Sequence, residues 1–450
     1  MKITFYGAVG EVTGSCIHLK LSNGQELLID AGYFQGHEKD LIKNEQEIPV
    51  DWKKIDYLLL THGHLDHCGR LPIYYKFGFR GKILSTAPTR DIAEIVWRDN
   101  VELLQTAANL ANTDPFYTDK EIDGCLQLFQ TIDYEKNIKL SNNVEAVFVD
   151  AGHILGSASI KITDSGQSIV FSGDLGNWPM GAVKPTVHPG PTDIVTIEAT
   201  YGNRLHEPKE KQKEILTKLI NEINSRRSTL LIPAFAIERS QELIIDLDDL
   251  VERKKVPELP TFLDSPMASS VTRLFGIYKK FLPEDLYNQY LIGDNPFKFP
   301  RFKETPTAEE SKKINITPSP KIIIAGSGMM TGGRVSHHLK RILPDSKNIL
   351  LIVGYQVEGT MGREIQDGAR SVNIDGRNIP IRCQIEKIGA YSAHADQSQL
   401  IEWMAKFNPK PGKTFINHGD TESVEGLKNK LERELDINSE IPQFGQVYKV

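Results

Sequence analysis

Thr61-His62-Gly63-His64-Leu65-Asp66-His67 is the stretch around which the rest of this chain is organised. It follows the apolar run 55–60, which predicts a buried strand that ends where the stretch begins. Four side chains that can bind a metal therefore lie in one short loop at a strand end. Three imidazoles and one carboxylate, without a cysteine pair, suit zinc but do not form a zinc finger. The pattern predicts a metal site, and the alternative is a solvated His-rich loop.

The composition is that of a globular protein with more than one core. A chain of 450 residues predicts two domains, or one large domain with an insert. No apolar run approaches the roughly 20 residues of a membrane span, and residues 1–7 predict a strand rather than a signal peptide. Four scattered cysteines without a CxxC pair predict a reducing compartment, the cytoplasm. The net charge of −6 neither indicates nor excludes a nucleic-acid partner.

The secondary-structure pattern changes near residue 200. Before that point, short strands alternate with turns, and one long helix is predicted over 88–111 with Thr86 or Thr89 as its cap. Beyond it, amphipathic helices alternate with continuous apolar strands such as 229–233, which is typical of a parallel sheet. Residues 294–315 are polar, contain three prolines and predict an irregular segment.

Other metal-binding residue types follow predicted strands elsewhere in the chain. They stand in Asp150-Ala151-Gly152-His153, Ser172-Gly173-Asp174, Ser392-Ala393-His394-Ala395-Asp396 and Asn417-His418-Gly419-Asp420. Taken singly, each histidine is equally well explained as a surface or core residue. Together with the central loop, these residues predict one shared site, because one loop cannot fill a metal site alone. The remaining histidines are interpreted as structural or solvated: His18, His37, His188, His206, His337 and His338.

These motifs together resemble a known family. His62-x-His64-x-Asp66-His67, with His153 and Asp174 downstream, resembles the signature of the metallo-β-lactamase fold. Segments 197–202, 233–243 and 325–334 resemble the start and the interior of a β-CASP insert, and segments 392–396 and 417–420 resemble the motifs that close it. The resemblance covers essentially the whole chain. It is greatest to the polyadenylation-factor-type nuclease subunit and its compact prokaryotic homologues.

The resemblance implies an α/β fold (α+β by some schemes). A four-layer αββα metallo-β-lactamase core is expected to carry an inserted parallel-sheet α/β β-CASP domain that faces it across a cleft. The expected limits are 1–205 for the first part of the core, 206–380 for the insert and 381–450 for the part that completes the core. A homodimer is expected by analogy only.

The resemblance also assigns roles to single residues. It implies two zinc ions, the first held by His62, His64 and His153, the second by Asp66, His67 and His418, with Asp174 bridging both. Asp30 would accept a hydrogen bond from a ligand histidine and fix its orientation. Asp66, His394 and Glu198 are the expected catalytic residues. His394 would be the general acid and Glu198 the carboxylate that orients it.

The glycine-rich segment 326–334 lies between a predicted strand and a predicted helix. Main-chain amides at such a helix start can bind a phosphate, which makes Ser327, Gly328 and Arg334 candidates for substrate binding. The alternative is a tight turn that needs small residues. The segment matches neither the Walker pattern nor the dinucleotide fingerprint, which argues against ATP and NAD.

The expected function is a zinc-dependent ribonuclease acting on single-stranded RNA. A two-metal hydroxide mechanism would hydrolyse the phosphodiester bond and leave 3′-hydroxyl and 5′-phosphate ends. The alternatives are a 5′-exonuclease of the RNase J type and a DNA nuclease of the same family. A small-molecule metallo-hydrolase is disfavoured because a small substrate needs no second domain. A non-catalytic relative is disfavoured because every expected metal position is filled.

Overall fold

The computed structural model of the chain describes residues 1–36, 41–357 and 359–450. These residues form two units. Unit 1 comprises Met1–Trp178, Pro185–Leu205 and His394–Val450, and unit 2 comprises Pro179–Lys184 and His206–Ala393. The domain limits expected from the sequence stay predictions, because compact units need not be folding domains. His37 lies outside the described residues.

The strands are numbered along the chain. The first part of unit 1 contains β1 (Lys2–Phe5), β2 (Ile17–Lys20), β3 (Glu26–Ile29), β4 (Ile55–Leu59), β5 (Lys82–Thr86), β6 (Phe129–Ile132), β7 (Ile138–Ser141), β8 (Val144–Asp150), β9 (Ala158–Asp164), β10 (Gln167–Phe171) and β11 (Ile194–Glu198). Unit 2 contains β12 (Thr229–Pro233), β13 (Thr261–Asp264), β14 (Phe302–Glu304), β15 (Lys321–Ala325), β16 (Ile349–Ile352), β17 (Ser371–Ile374), β18 (Arg377–Pro380) and β19 (Gln384–Lys387). The last part of unit 1 contains β20 (Lys413–Asn417), β21 (Ser439–Glu440) and β22 (Val447–Lys449).

The α-helices are numbered in the same way. Unit 1 begins with α1 (Leu65–Cys68), α2 (Leu71–Phe77), α3 (Ala87–Ala111) and α4 (Asp119–Leu126). Unit 2 contains α5 (Lys209–Arg226), α6 (Arg239–Glu252), α7 (Pro266–Ile277), α8 (Glu284–Leu291), α9 (Ala308–Ile314), α10 (Arg334–Ile342) and α11 (Met361–Gln366). Unit 1 ends with α12 (Gln397–Ala405) and α13 (Thr421–Leu435). Single 3-10 turns lie at Ile42–Glu45, Trp52–Lys54, Lys279–Phe281 and Gly389–Tyr391.

Two seven-stranded sheets form the centre of unit 1. Their strand orders are β22-β1-β2-β3-β4-β5-β6 and β21-β20-β11-β10-β9-β8-β7. Apolar side chains of both sheets, among them Phe5 and Phe148, pack together in one core between the sheets. Helices α12 and α13 cover the outer face of the second sheet through Trp403 and Leu427, and α3 contacts β5 and β6 of the first. The order helix, sheet, sheet, helix confirms the predicted four-layer core.

A parallel six-stranded sheet forms the centre of unit 2. Its order is β14-β13-β15-β12-β16-β19, and every neighbouring pair is parallel. All five residues of β12 and of β15 are buried, as expected for strands covered on both faces. The amphipathic helix α10 packs on this sheet through Val335 and Leu339. The prediction of a parallel α/β sheet after residue 200 is therefore confirmed.

The segment 294–315 is more regular than its composition indicated. It contains the edge strand β14 and the helix α9. Thr307 and Glu310 form a capping box, in which the side chain of each residue accepts a hydrogen bond from the main-chain N–H of the other. This cap starts a helix in a polar segment, so the prediction of an irregular stretch is wrong at these residues.

Strand pairing brings distant parts of the chain to one edge of the second sheet. Strand β10 pairs in parallel with β11, and β11 pairs in parallel with β20, so that Glu198 lies opposite Asn417. The loops after these three strands therefore meet at the same place. Among the helices of the described ranges, none is long and apolar enough to cross a membrane.

Candidate metal centre

The His-rich loop is fixed by a buried carboxylate at the end of the neighbouring strand β3. Asp30 follows β3, and its Oδ1 accepts hydrogen bonds from the main-chain N–H (2.8 Å) and the hydroxyl (3.0 Å) of Thr61. His62 and His64 then lie on an extended segment, and the short helix α1 begins directly after His64. His62 and His64 (the extended pair) therefore point in a different direction from Asp66 and His67 (the helical pair).

The extended pair joins a third histidine in a first group of candidate ligands. His64 Nδ1 lies 3.1 Å from His62 Nε2 and 3.1 Å from His153 Nε2. His153 follows β8 in the loop 150–153, as the sequence predicts. The side chains of His62 and His153 are fully buried. Burial and the nearby His67 hold the pKa of His62 well below its usual value, so its ring nitrogen presents a lone pair rather than a charge.

The helical pair joins the histidine that follows β20 in a second group. His67 Nε2 lies 3.0 Å from His418 Nε2, and His418 Nε2 lies 3.7 Å from Asp66 Oδ2. Two imidazole nitrogens and a carboxylate oxygen so close together form a donor set for a metal of borderline softness.

Asp174 lies between the two groups. Its Oδ2 is 3.4 Å from His62 Nε2 and its Oδ1 is 3.2 Å from His67 Nε2. Both oxygens are buried, and neither accepts a hydrogen bond from any residue that the structure describes. Burial would raise the pKa of this carboxyl, but the imidazoles of His418 and His67 outweigh burial and hold the pKa well below its usual value. A buried carboxylate without hydrogen-bond donors, surrounded by imidazole nitrogens, fits a cation on each side of it.

Two groups outside the ligand set orient the histidines of the second group. Asp30 Oδ2 lies 2.7 Å from His67 Nδ1, which leaves Nε2 facing the centre. The hydroxyl of Thr200 lies 3.2 Å from His418 Nδ1 and donates to the carbonyl of His418 at 3.3 Å. The sequence analysis missed Thr200 and Thr61. One sequence feature could have indicated their role: each threonine stands just after a buried strand, close to His62 or Glu198.

A third cluster contains Glu198 and His394, the expected catalytic pair. Glu198 accepts main-chain hydrogen bonds from Leu175 (2.8 Å, Oε1) and Thr200 (3.0 Å, Oε2), so both of its oxygens are fixed. His394 Nδ1 lies 3.4 Å from Glu198 Oε1, and the main chain of His394 forms a bridge with Gly176. Burial lowers the pKa of His394, but the carboxylates of Glu198, Asp174 and Asp66 together outweigh burial and raise the pKa.

The three candidates for substrate binding lie in unit 2, whereas the candidate metal ligands lie in unit 1. The hydroxyl of Ser327 donates to Gly332 O at 3.4 Å. A Cβ at Gly328 would come within 2.8 Å of the Phe235 ring, so close packing by itself requires glycine there. The guanidinium of Arg334 donates to Asp264 Oδ1 at 2.7 Å. These contacts favour the tight-turn interpretation of the loop, and the binding roles stay predictions.

Three family models match the chain and together span most of it. A "Metallo-beta-lactamase superfamily domain" matches residues 18–177, and a "Beta-Casp domain" matches residues 240–365. A "Zn-dependent metallo-hydrolase RNA specificity domain" matches residues 378–442. Two of these models are the ones that the sequence motifs indicate.

Curated relatives match over nearly the full chain. Ribonuclease TTHA0252 of Thermus thermophilus is 35% identical over 96% of this chain and 96% of its own. The RNase J-like protein of Methanocaldococcus jannaschii is 32% identical over 100% of this chain and 99% of its own. Transcription termination factor FttA of Methanosarcina mazei is 32% identical over 98% of this chain and 70% of its own.

A solved structure shares the fold. It is a protein of unknown function from Enterococcus faecalis V583, which covers 99% of both chains with a TM-score of 0.60 and 15% sequence identity. At this identity the similarity concerns the fold alone. The curated relatives carry the assignment, because each of the three named above aligns at more than 30% identity over at least two thirds of its own length. The chain therefore belongs to the β-CASP family within the metallo-β-lactamase superfamily, a family of metal-dependent nucleases.

Proposed function

We propose that this chain is a zinc-dependent ribonuclease that hydrolyses phosphodiester bonds of single-stranded RNA and leaves 3′-hydroxyl and 5′-phosphate ends. The observation that carries the proposal is the position of Asp174, whose two buried oxygens face two different histidine groups. A carboxylate shared in this way is typical of a two-metal hydrolytic site. The names of two relatives, a ribonuclease and an RNase J-like protein, support RNA as the substrate.

Two zinc ions fit the two groups. His62, His64 and His153 would hold one ion, Asp66, His67 and His418 would hold the other, and Asp174 would contact both. When bound, the zinc ions would act as Lewis acids that activate a water molecule and screen the charge of the phosphate. Asp30 and Thr200 would keep the imidazoles of His67 and His418 turned so that Nε2 faces the ion.

Glu198 and His394 would handle the proton of the leaving group. Because two main-chain amides fix Glu198, its carboxylate holds Nδ1 of His394, and Nε2 is the nitrogen that would serve the substrate. As water adds to phosphorus it loses one proton, and as the bond to the 3′-oxygen breaks that oxygen takes a proton from Nε2 of His394 and leaves as a hydroxyl. The proton lost by the water restores the protonated His394. The 5′-phosphate stays on the other fragment.

The decisive experiment is cleavage of labelled single-stranded RNA by protein of known metal content. We expect about two zinc ions per chain, cleavage of the RNA, and no cleavage by Asp66→Ala or His67→Ala. RNA that stays intact in the presence of fully loaded protein would rule out the ribonuclease. A single-stranded DNA of the same sequence tests the DNA nuclease alternative in parallel.

A circular RNA separates the two modes of cleavage. A circle has no end, so its cleavage requires an endonuclease, whereas an intact circle beside a degraded linear RNA indicates the exonuclease of the RNase J type. The cytoplasm is the proposed compartment, since all four cysteines are buried and unbonded. The homodimer stays a prediction.

A further inference from the structure

Most of the side chains of the candidate metal centre are buried. The side chains of His62, His67, His153, His418 and Asp174 are at most 3% exposed. Asp66 and His394, by contrast, are each 21% exposed, and His64 is half-buried. A phosphate group must therefore approach past these three side chains. An aromatic group that stands beside His394 is placed to meet the nucleotide to which the phosphate is attached.

Tyr201 is that aromatic group. Its ring centroid lies 6.2 Å from that of His394, with 34° between the ring planes, and its side chain is half-buried rather than enclosed. The ring of His394 in turn lies 4.5 Å from that of His153. The rings of His153, His394 and Tyr201 therefore form a continuous series of contacts that begins at the first candidate metal group.

The main chain around Tyr201 is rigid. The N–H of Gly202 donates to the carbonyl of Ala199 at 3.0 Å, which closes a turn around Tyr201. A Cβ on Gly202 would come within 2.3 Å of the carbonyl oxygen of Ser423, so the turn is pressed against α13. The preceding Thr200 is fixed by its bonds to Glu198 and His418. The position of the tyrosine ring is therefore set by the same segment that holds the candidate catalytic groups.

The identity of the leaving group indicates which nucleotide the ring meets. In the proposed reaction His394 gives its proton to the 3′-oxygen, so the two must come within hydrogen-bonding distance. That oxygen belongs to the nucleotide on the 5′ side of the cut. Its base is one sugar away from the oxygen, and Tyr201 is a half-buried ring next to His394.

We propose that Tyr201 stacks on the nucleobase immediately 5′ of the bond that is cut. The inference rests on the proposed function and makes it more specific: the substrate must present an unpaired base at that position. A base inside a duplex is covered by its neighbours and offers no free face. Because every base has such a face, the contact selects for single strands and not for a sequence.

A single abasic residue moved along a short linear RNA tests this proposal by cleavage. Wild-type protein should cut the bond on the 3′ side of the abasic residue roughly 5- to 150-fold more slowly than the other bonds. Tyr201→Ala should cut the intact RNA as slowly as the bond next to the abasic residue, so that the difference between them disappears. Tyr201→Phe keeps an aromatic ring and should show the same difference as wild type. Equal cutting next to the abasic residue by wild-type protein would overturn the proposal, as would a Phe variant that behaves like the Ala variant.

Two controls keep the result interpretable. Tyr75, a half-buried tyrosine on α2 whose ring lies 3.8 Å from the guanidinium carbon of Arg80, provides the matched variant Tyr75→Ala, which should discriminate like wild type. The zinc content of Tyr201→Ala should equal that of wild type, since Tyr201 is not a candidate ligand. A loss of zinc in this variant would assign the ring a structural role and overturn the proposal.

A binding measurement separates failure of this inference from failure of the proposed function. A short RNA with one 2-aminopurine is mixed rapidly with zinc-loaded protein, so that stacking is seen before any cleavage. The fluorescence should fall with wild-type protein and with Tyr201→Phe but not with Tyr201→Ala. A fall without any later cleavage would contradict the ribonuclease and support the stacking contact. Bound RNA whose fluorescence does not fall would overturn the stacking contact, even if the RNA is cut.

Discussion

The Nε2 atoms of His67 and His418 lie 3.0 Å apart, although 351 residues separate the two histidines along the chain. His67 stands in α1, at the beginning of the fold, and His418 follows β20, which joins the second sheet only after the chain has passed through unit 2. The His-rich loop is therefore half of a site. The returning chain completes it.

The first prediction concerns the separate loss of the two metals. His418→Ala should remove one zinc ion and leave the other, because the first group contains no residue from the last part of the chain. His153→Ala should do the reverse, whereas Asp174→Ala should weaken both sites. Zinc content per chain measured by mass spectrometry, with RNA cleavage alongside, checks the prediction. Two full zinc equivalents in His418→Ala would exclude this histidine from the ligands.

The second prediction concerns the hydroxyl of Thr200. Thr200→Val removes the contact with His418 Nδ1 and should weaken binding of the second metal by roughly 10- to 100-fold, the usual effect of losing a group that orients a ligand. Thr200→Ser retains the hydroxyl and should bind like wild type. Competition with a chelator measures the affinity. Equal affinities of Val and Ser variants would show that the hydroxyl does not orient the ligand.

The third prediction separates the general acid from the ligands. His394→Ala should keep both zinc ions and lose about 10²- to 10⁴-fold in cleavage rate, the usual size of a general-acid contribution. The opposite result has a structural basis, because His394, Glu198 and Asp174 are close enough together to hold a metal themselves. Loss of zinc from the variant would therefore place His394 among the ligands.

The candidate metal ligands predicted from the sequence have two physical properties in common. Each follows a strand whose apolar pattern is easy to recognise, and each has a side chain with a specific chemistry, as His153 and Asp174 do. Parallel pairing of β10, β11 and β20 then brings the strand ends together. The apolar runs of unit 2 predicted its sheet for the same reason, because a strand covered on both faces has a continuous apolar sequence.

The residues that the sequence could not predict act through partners that are distant in the chain. The hydroxyl of Thr200 gains its role from His418, 218 residues further on. The charge of Arg334 is matched by Asp264, which precedes it by 70 residues. A serine, threonine or arginine carries no local pattern that reveals such a partner. The motif of Arg334 suggested a phosphate, which stays a prediction, and the structure shows that the guanidinium also contacts a buried carboxylate.

The fourth prediction follows from that pair. Asp264 is fully buried and also receives Ser311 Oγ and His338 Nε2, each at 2.7 Å. Arg334→Ala should lower the free energy of unfolding by up to about 3–5 kcal/mol, because it leaves a buried carboxylate without its permanent cation. Chemical denaturation measures the loss, and RNA affinity is measured on the folded variant. Weaker RNA binding at unchanged stability would restore Arg334 as a substrate-binding residue.

The fifth prediction is the pH dependence of the same network. Burial raises the pKa of Asp264, but hydrogen bonds from His338, Ser311 and Arg334 outweigh burial and lower the pKa to about 2. The ionised carboxyl therefore stabilises the folded state above the unfolded pKa of about 3.9, and this stabilisation is lost as the pH falls from about 4 to about 2.

Comparison with an uncharged variant isolates this contribution from those of other carboxylates. The difference in free energy of unfolding between wild type and Asp264→Asn should shrink by about 2–3 kcal/mol between pH 6 and pH 2, because only the wild type loses the ionised group. Asp367→Asn, at an exposed pair with Arg363, should show little change over the same range. A wild-type advantage over Asp264→Asn that is the same at both pH values would mean that the carboxyl does not titrate as the network requires, and that Asp264 stabilises unit 2 by shape alone.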